Sequence, residues 1–151
     1  EDGMSTVRTE LQFIRSYFQL LKTRHGDAIQ LHIDIDKRYD EYLLPSLSLQ
    51  MLVENAVKHN ALSRNYPLHI EIFTTVGNKL VVNNNIQRRA QKAPSGQVGL
   101  KNIKMKHELL NQPGFHVMDD GKNFTAVLPL IWHRLMDKNS VHYTTNQNQV
   151  I

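Results

Sequence analysis

The stretch LQMLVENAVKHN, Leu49 to Asn60, sets a carboxylate, a carboxamide, an ammonium and an imidazole within six positions: Glu54, Asn55, Lys58 and His59. Those group types suit a ligand that is anionic and metal-bound. A carboxamide oxygen is a neutral hard donor, and Mg²⁺ completes its octahedron by combining few protein oxygens with waters and phosphate oxygens. An ammonium three residues on meets phosphate as a point charge. An imidazole can hydrogen-bond a phosphate or a ribose, and is as often a structural donor. At about 100° per residue, Leu49, Leu52, Val53, Ala56 and Val57 fall on one arc of a helix, and Met51, Glu54, Asn55, Lys58 and His59 on the other. An ordinary solvated helix face has the same pattern. Asn55 favours chemistry, because asparagine is an indifferent helix former and stands here in mid-helix with no capping role.

A helix of this kind needs a scaffold to aim it. From Met4 to Arg24 apolar residues recur at three- and four-residue steps (Val7, Leu11, Ile14, Phe18, Leu21) and Gly26 follows, which predicts a long first helix. AIQLHIDID alternates Ile29, Leu31, Ile33 and Ile35 with polar residues, the period of a half-buried strand. Pro45 and Ser46 are expected to open the helix that carries Asn55, and Asn60 to Pro67 to form a loop. LHIEIFTTV and KLVVNNN, joined at Gly77-Asn78, read as a hairpin. QRRAQKAPSGQVG has no apolar period and carries Pro94, Gly96 and Gly99, the composition of a mobile loop. LKNIKMKHELL reads as a third helix, and FHVMD, the turn DGKN and FTAVLPLIW as a closing hairpin. The tail after His133 is polar and expected to be disordered or weakly ordered. The order predicts an α+β fold, a two-layer sandwich with helices on one face of a mixed, mostly antiparallel sheet.

Composition narrows the setting. With 151 residues, 40% of them hydrophobic, the chain can bury one core but hardly two. No apolar run approaches the ~18 residues of a membrane span, and the first residues lack a signal peptide's regions, so this segment is expected in the cytosol. The absence of cysteine excludes disulfides and thiolate metal sites. A net charge of +4, from 18 basic and 14 acidic residues, comes without a basic stripe interleaved with aromatics, and no nucleic-acid partner is expected.

Three separated stretches resemble one family. LVENAVKHN resembles the N box of the ATP-binding domain of sensor histidine kinases, VNNN stands at the position of the G1 box, and SGQVGLKNIKMKHELL resembles the G2 box. The segment TELQFIRSYFQLLKTRHGDAIQLHIDID and the PLI at 129 to 131 are similar to the corresponding parts of LytS-like kinases, so the resemblance covers about Thr6 to Trp132. It implies the Bergerat-type fold shared by gyrase, the heat-shock chaperones, histidine kinases and MutL, with ATP and Mg²⁺ held between helices and a lid. By that match Asn55 is the Mg²⁺ ligand; by their own chemistry Lys58 can reach the phosphates, His59 can bond phosphate or ribose or serve as a structural donor, and Glu54 reads as a supporting or surface residue. Asn84 takes the place of the aspartate that accepts from the adenine amino group. Gly96, Gly99, Leu100 and Asn102 fit the phosphate segment, Gly99 and Leu100 opening a helix whose N–H groups can meet phosphate.

Departures from the family pattern are informative. Asn84 replaces the usual aspartate, Ile86 a glycine, and Gln97 another glycine. A carboxamide oxygen can still accept from adenine, although an amide can also turn and offer its NH₂ instead. Alternatively, the asparagines mark nothing more than a loop at a strand end. Met51 stands where ATP hydrolases of the superfamily carry a general-base glutamate, and without a base water activation is poorly served, which suits phosphotransfer. The acceptor histidine of LytS-like kinases lies in an HFLFN-like stretch, which is absent. The eight histidines, among them His25, His69, His107 and His142, stand in unrelated contexts.

The resemblance therefore implies three parts: residues 1–24 as the end of a dimerisation helix, 25–133 as the ATP-binding catalytic domain, and 134–151 as a polar tail. It implies the cytoplasmic domain of an inner-membrane sensor, tied to the membrane only through a missing N-terminal part. The implied partners are a second copy of the full-length kinase and a response regulator of the LytTR type. Two other readings stay open: a degenerate nucleotide-binding scaffold, which would explain Asn84, Ile86 and Gln97 together, and a nucleotide-independent dimerisation or interaction domain using the first helix.

Overall fold

Thr6 decides where the first helix begins. Its backbone is extended (φ −79°, ψ 155°) and its hydroxyl accepts from the Thr9 N–H at 3.1 Å, the geometry of an N-cap. A cap residue needs a non-helical backbone, so the residues before it cannot continue the helix. In this computed structural model, which describes residues 3–87 and 114–132, helix α1 is Val7–His25 and ends at Gly26, where φ is +58°. Met4–Thr6, expected as the first turn of that helix, form instead a short strand, β1, antiparallel to a second short strand, β3 (Leu43–Pro45).

Among the described residues the main sheet holds five strands. β2 (Ile29–Asp34) runs parallel to β4 (Leu68–Thr75), and β4 runs antiparallel to β5 (Lys79–Asn85). β7 (Asn123–Pro129) pairs with β5 and then with β6 (His116–Asp119), both antiparallel, giving the order β2-β4-β5-β7-β6. The parallel pair needs a crossover, and helix α2 (Ser48–His59) lies in it. Pro45 does not open α2. It ends β3, the chain turns at Leu47 with φ +66°, and the helix starts at Ser48, whose hydroxyl donates to the Pro45 carbonyl.

Alternation along the strands buries Leu68, Ile70 and Ile72 of β4, Leu80 and Val82 of β5, and Ala126 and Leu128 of β7 in one cluster with Leu49, Leu52, Val53 and Ala56 of α2. Val7, Leu11, Ile14 and Leu21 of α1 join the same cluster. Both helices of the described residues thus lie on one face of a mixed sheet, and the chain is the α+β sandwich its periodicities predict. Since α1 shares this core, the division expected between residues 24 and 25 does not coincide with a break in packing. Residues 37–44, given no element from sequence, hold a 3-10 turn (Lys37–Tyr39) and most of β3. Tyr39 meets Tyr42 edge-on at 4.9 Å, Tyr42 meets Trp132 at 4.8 Å, and Leu43 and Ile131 exchange backbone hydrogen bonds of 2.8 and 2.9 Å. The expected third helix at 100–110, the loop up to Gly99 and the tail lie outside the described residues. No helix among the described residues is long and apolar enough to cross a membrane.

One core residue breaks the apolar pattern. Glu10 of α1 is only 2% exposed, with the backbone N–H groups of Leu47, Ser48 and Leu49 and the Ser5 hydroxyl facing its carboxyl, while Oε1 has no hydrogen-bond partner. Leu47 has no side chain able to cap α2, so a carboxyl from the neighbouring helix meets the orphan N–H groups of its first turn. Burial outweighs those donors and pushes the Glu10 pKa up from the ordinary 4.5. A carboxyl with a raised folded pKa binds its proton more tightly in the fold than in the unfolded chain. Its contribution to stability is present below the ordinary value and lost as pH rises through the raised one. Glu10→Gln keeps the shape and removes the titration. Denaturant unfolding of both proteins between about pH 4 and pH 8 should show the parent losing stability relative to the variant as pH rises; a difference that stays flat would contradict the assignment.

Candidate functional site

The greasy back of α2 fixes where its front can be. With Leu49, Leu52, Val53 and Ala56 buried, Met51, Glu54, Asn55 and His59 come to rest half-buried and Lys58 exposed; Val57, expected in the core, is half-buried. Glu54 accepts from Gln50 Nε2 at 3.2 Å, and after burial its charge is the second cause that raises the pKa of Tyr17 on α1. That carboxylate is therefore engaged with Gln50 and the α1 side. The Asn55 carboxamide, in contrast, makes no hydrogen bond among the described residues, which leaves its oxygen open to a ligand.

The end of α2 is closed by a residue the sequence reading placed merely at the start of a loop. Asn60, 3% exposed, donates through Nδ2 to the Ala56 carbonyl at 2.8 Å and accepts through Oδ1 from the Gln87 N–H at 2.6 Å. The Ala61 N–H donates to the Gln87 carbonyl at 2.6 Å. The last turn of α2 is thereby stitched to the chain that has just left β5. The signal in sequence was an asparagine directly after the last helical residue, a position where a side-chain amide can satisfy orphan carbonyls.

Asn83, Asn84 and Asn85 do three different things. Asn84 sits on the helix-facing side of β5 with Leu80 and Val82, in register with Ile70 and Phe124, and is 3% exposed. Its Nδ2 donates to the Asn85 carbonyl at 2.8 Å, which leaves Oδ1 as the acceptor. Turning the amide over, a freedom the sequence allowed, would break that bond. Asn85 accepts from the His69 N–H at 2.7 Å and donates to the Pro67 carbonyl at 3.0 Å, sealing the start of β4. Asn83 accepts from the Thr125 hydroxyl at 2.8 Å. The Ile86 N–H donates to the Lys122 carbonyl at 2.9 Å, so the residue standing at a usual glycine extends the pairing beyond β5.

The described structure thus brings the α2 front with Asn55, Lys58 and His59 and the buried amide of Asn84 onto neighbouring elements, joined through Asn60 and Gln87. Gly96, Gly99, Leu100, Asn102 and Gln97 lie outside the described residues. Among the described residues no three His, Asp or Glu side chains gather as a metal cage. One open carboxamide oxygen does fit Mg²⁺ when phosphate oxygens and waters fill the remaining positions. A cavity of about 370 Å³ lies between α1 and the β2 edge, lined among others by Arg8, Gln12, Arg15, Ile33 and Lys37, and holds no residue of α2 or β5.

No protein-family model matches the chain. It is 33% identical over 93 residues to the sensor protein LytS of Staphylococcus saprophyticus, a match covering 62% of this chain and 13% of that protein. Among solved structures it is similar to full-length ShkA in complex with AMPPNP, with a TM-score of 0.58 and 13% identity over 87% of this chain and 32% of that one. It is also similar to the mycobacterial sensor histidine kinase MprB, with a TM-score of 0.52 and 12% identity over 80% and 94% of the two chains. The chain spans a fifth or less of the length of the curated relatives it matches. The fold is that of histidine-kinase catalytic domains, and over the matched residues the chain is LytS-like, as its three stretches suggested.

Proposed function

We propose that the chain is the ATP-binding catalytic domain of a two-component sensor histidine kinase, holding Mg-ATP for phosphoryl transfer to a histidine outside these residues. The observation that carries this reading is the joining of an open carboxamide at Asn55, on a helix front that also bears Lys58 and His59, to a strand that ends in a buried acceptor, the Asn84 Oδ1. Asn84 accepts from the amino group of adenine, while Asn55 gives one oxygen to the metal and Lys58 meets the phosphates. His59 bonds ribose or phosphate. Gly96, Gly99, Leu100 and Asn102 are assigned to the phosphate cradle on the resemblance alone. Mg²⁺, when bound, neutralises charge on the β- and γ-phosphates. The protein's own part is to hold the nucleotide in one orientation for in-line attack, a role of positioning with no base for water.

Because α1 shares the core of the sheet, residues 7–132 are assigned to one catalytic domain, with any dimerising segment preceding it. The assigned partners are a second copy of the whole kinase and a response regulator of the LytTR type, on the cytoplasmic side of a membrane reached through a preceding part. A nucleotide-free scaffold is the second reading, favoured by Ile86 in strand pairing where a glycine is usual. Incubated alone with γ-labelled ATP, the chain should gain no acid-labile phosphate, and it should label a separate fragment carrying the acceptor histidine. Label on one of its own histidines would show the acceptor misplaced.

A further inference from the structure

Asn60 belongs to neither group of nucleotide contacts, yet its one side chain bonds to both segments that carry them. Its NH₂ is committed to the Ala56 carbonyl, one residue beyond Asn55, and its oxygen to the N–H of Gln87, three residues beyond Asn84. Asn60 is 3% exposed, the bond to Ala56 is buried and the bond to Gln87 is partly so, which shields both from water. The Ala61 to Gln87 backbone bond beside it makes this a two-bond bridge, and a two-point bridge fixes orientation as well as distance. The tethers around Asn84 continue the same frame: Asn85 holds β4, and Ile86 holds the chain before β7.

We propose that Asn60 is a positioning residue that sets the metal end of the site, on α2, at a fixed offset from the base end, on β5. This rests on the assignment of Asn55 and Asn84 to Mg-ATP. A residue that only stabilised the fold would, once removed, lower the folded fraction and leave the selectivity of the folded molecules alone. A strut makes a different demand: with its side-chain bond gone and only the Ala61 to Gln87 backbone bond left, the base end and the metal end are no longer held at one offset for a single nucleotide.

The test compares the parent, Asn60→Ala, Asn60→Asp and Asn55→Ala, each titrated with ATP and with GTP, in Mg²⁺ and in EDTA, at a temperature where circular dichroism shows the fold intact. Asn60→Ala is expected to weaken Mg-ATP by about tenfold and to bring the GTP-to-ATP ratio of dissociation constants toward one. Asn60→Asp, which keeps the acceptor for Gln87 but loses the bond to the Ala56 carbonyl, should give a ratio between those of the parent and Asn60→Ala. Asn55→Ala should lose the Mg²⁺-dependent part and keep the ratio. A folded Asn60→Ala with the parent's ratio overturns the strut while leaving the nucleotide assignment standing. An Asn55→Ala protein with full Mg²⁺ dependence removes the assignment and the strut with it. Should Asn60→Ala not fold, amide exchange in the unmodified chain decides: the Gln87 N–H is expected to be protected, and further protected by ATP, and free exchange there contradicts the proposal.

Discussion

Replacing Asn55 with alanine is expected to weaken Mg-ATP binding by about tenfold to a hundredfold while leaving ATP binding in EDTA within about twofold of the parent. The reasoning starts from burial. Asn55 is half-buried on the side of α2 away from Leu52, Val53 and Ala56, so its truncation opens no cavity in the core. Alanine is also the better helix former, so α2 should if anything gain. What is removed is one oxygen with no protein partner among the described residues, and such an oxygen matters to a ligand far more than to the fold. Isothermal titration with and without Mg²⁺ separates the two effects. Equal Mg-ATP affinity in variant and parent would end the metal assignment.

Asn84→Asp is expected to sharpen base choice and weaken the fold together. In the parent, the amide is anchored by its Nδ2 bond to the Asn85 carbonyl, so Oδ1 is the atom shown to the base. Presenting NH₂ to guanine would break that bond, worth about 1 kcal/mol, and so the parent should prefer ATP over GTP by about fivefold. A carboxylate has no donor to offer guanine in either orientation. The substitution should widen the preference by about tenfold, at ~1.4 kcal/mol per decade. The same carboxylate faces the Asn85 carbonyl in a nearly sealed position, and losing that bond should cost about 1–3 kcal/mol of stability. Competition titrations and denaturant unfolding read the two effects separately. A GTP-to-ATP ratio untouched by the substitution would mean that Asn84 does not read the base.

The elements were legible where one periodicity ruled a segment. The three-and-four spacing of α1, the alternation of β2, β4 and β5, and the split faces of α2 all follow from which side must be buried, and the core is built from those positions. The misplaced helix starts have local causes that periodicity does not register. Thr6 caps in an extended backbone and hands Met4–Thr6 to a strand whose partner, Leu43–Pro45, is far away in sequence. Leu47 takes a left-handed backbone that leucine rarely adopts, so nothing in its type announced the turn before Ser48. Of the site, the group types on α2 and the inward side of Asn84 were readable. The commitment of each amide was not, because Asn60 to Gln87 and Asn85 to Pro67 and His69 are contacts across the fold. Glu10 is buried because the start of α2 lies against it, a contact that the periodicity of α1 does not register.

The central claim is that this chain holds Mg-ATP, and titration of the intact chain by calorimetry tests it most directly. One saturable site is expected, with a dissociation constant in the micromolar range in Mg²⁺ and weaker binding in EDTA. No heat and no shift in melting temperature up to millimolar Mg-ATP would contradict it and leave a scaffold that has kept the fold and lost the nucleotide.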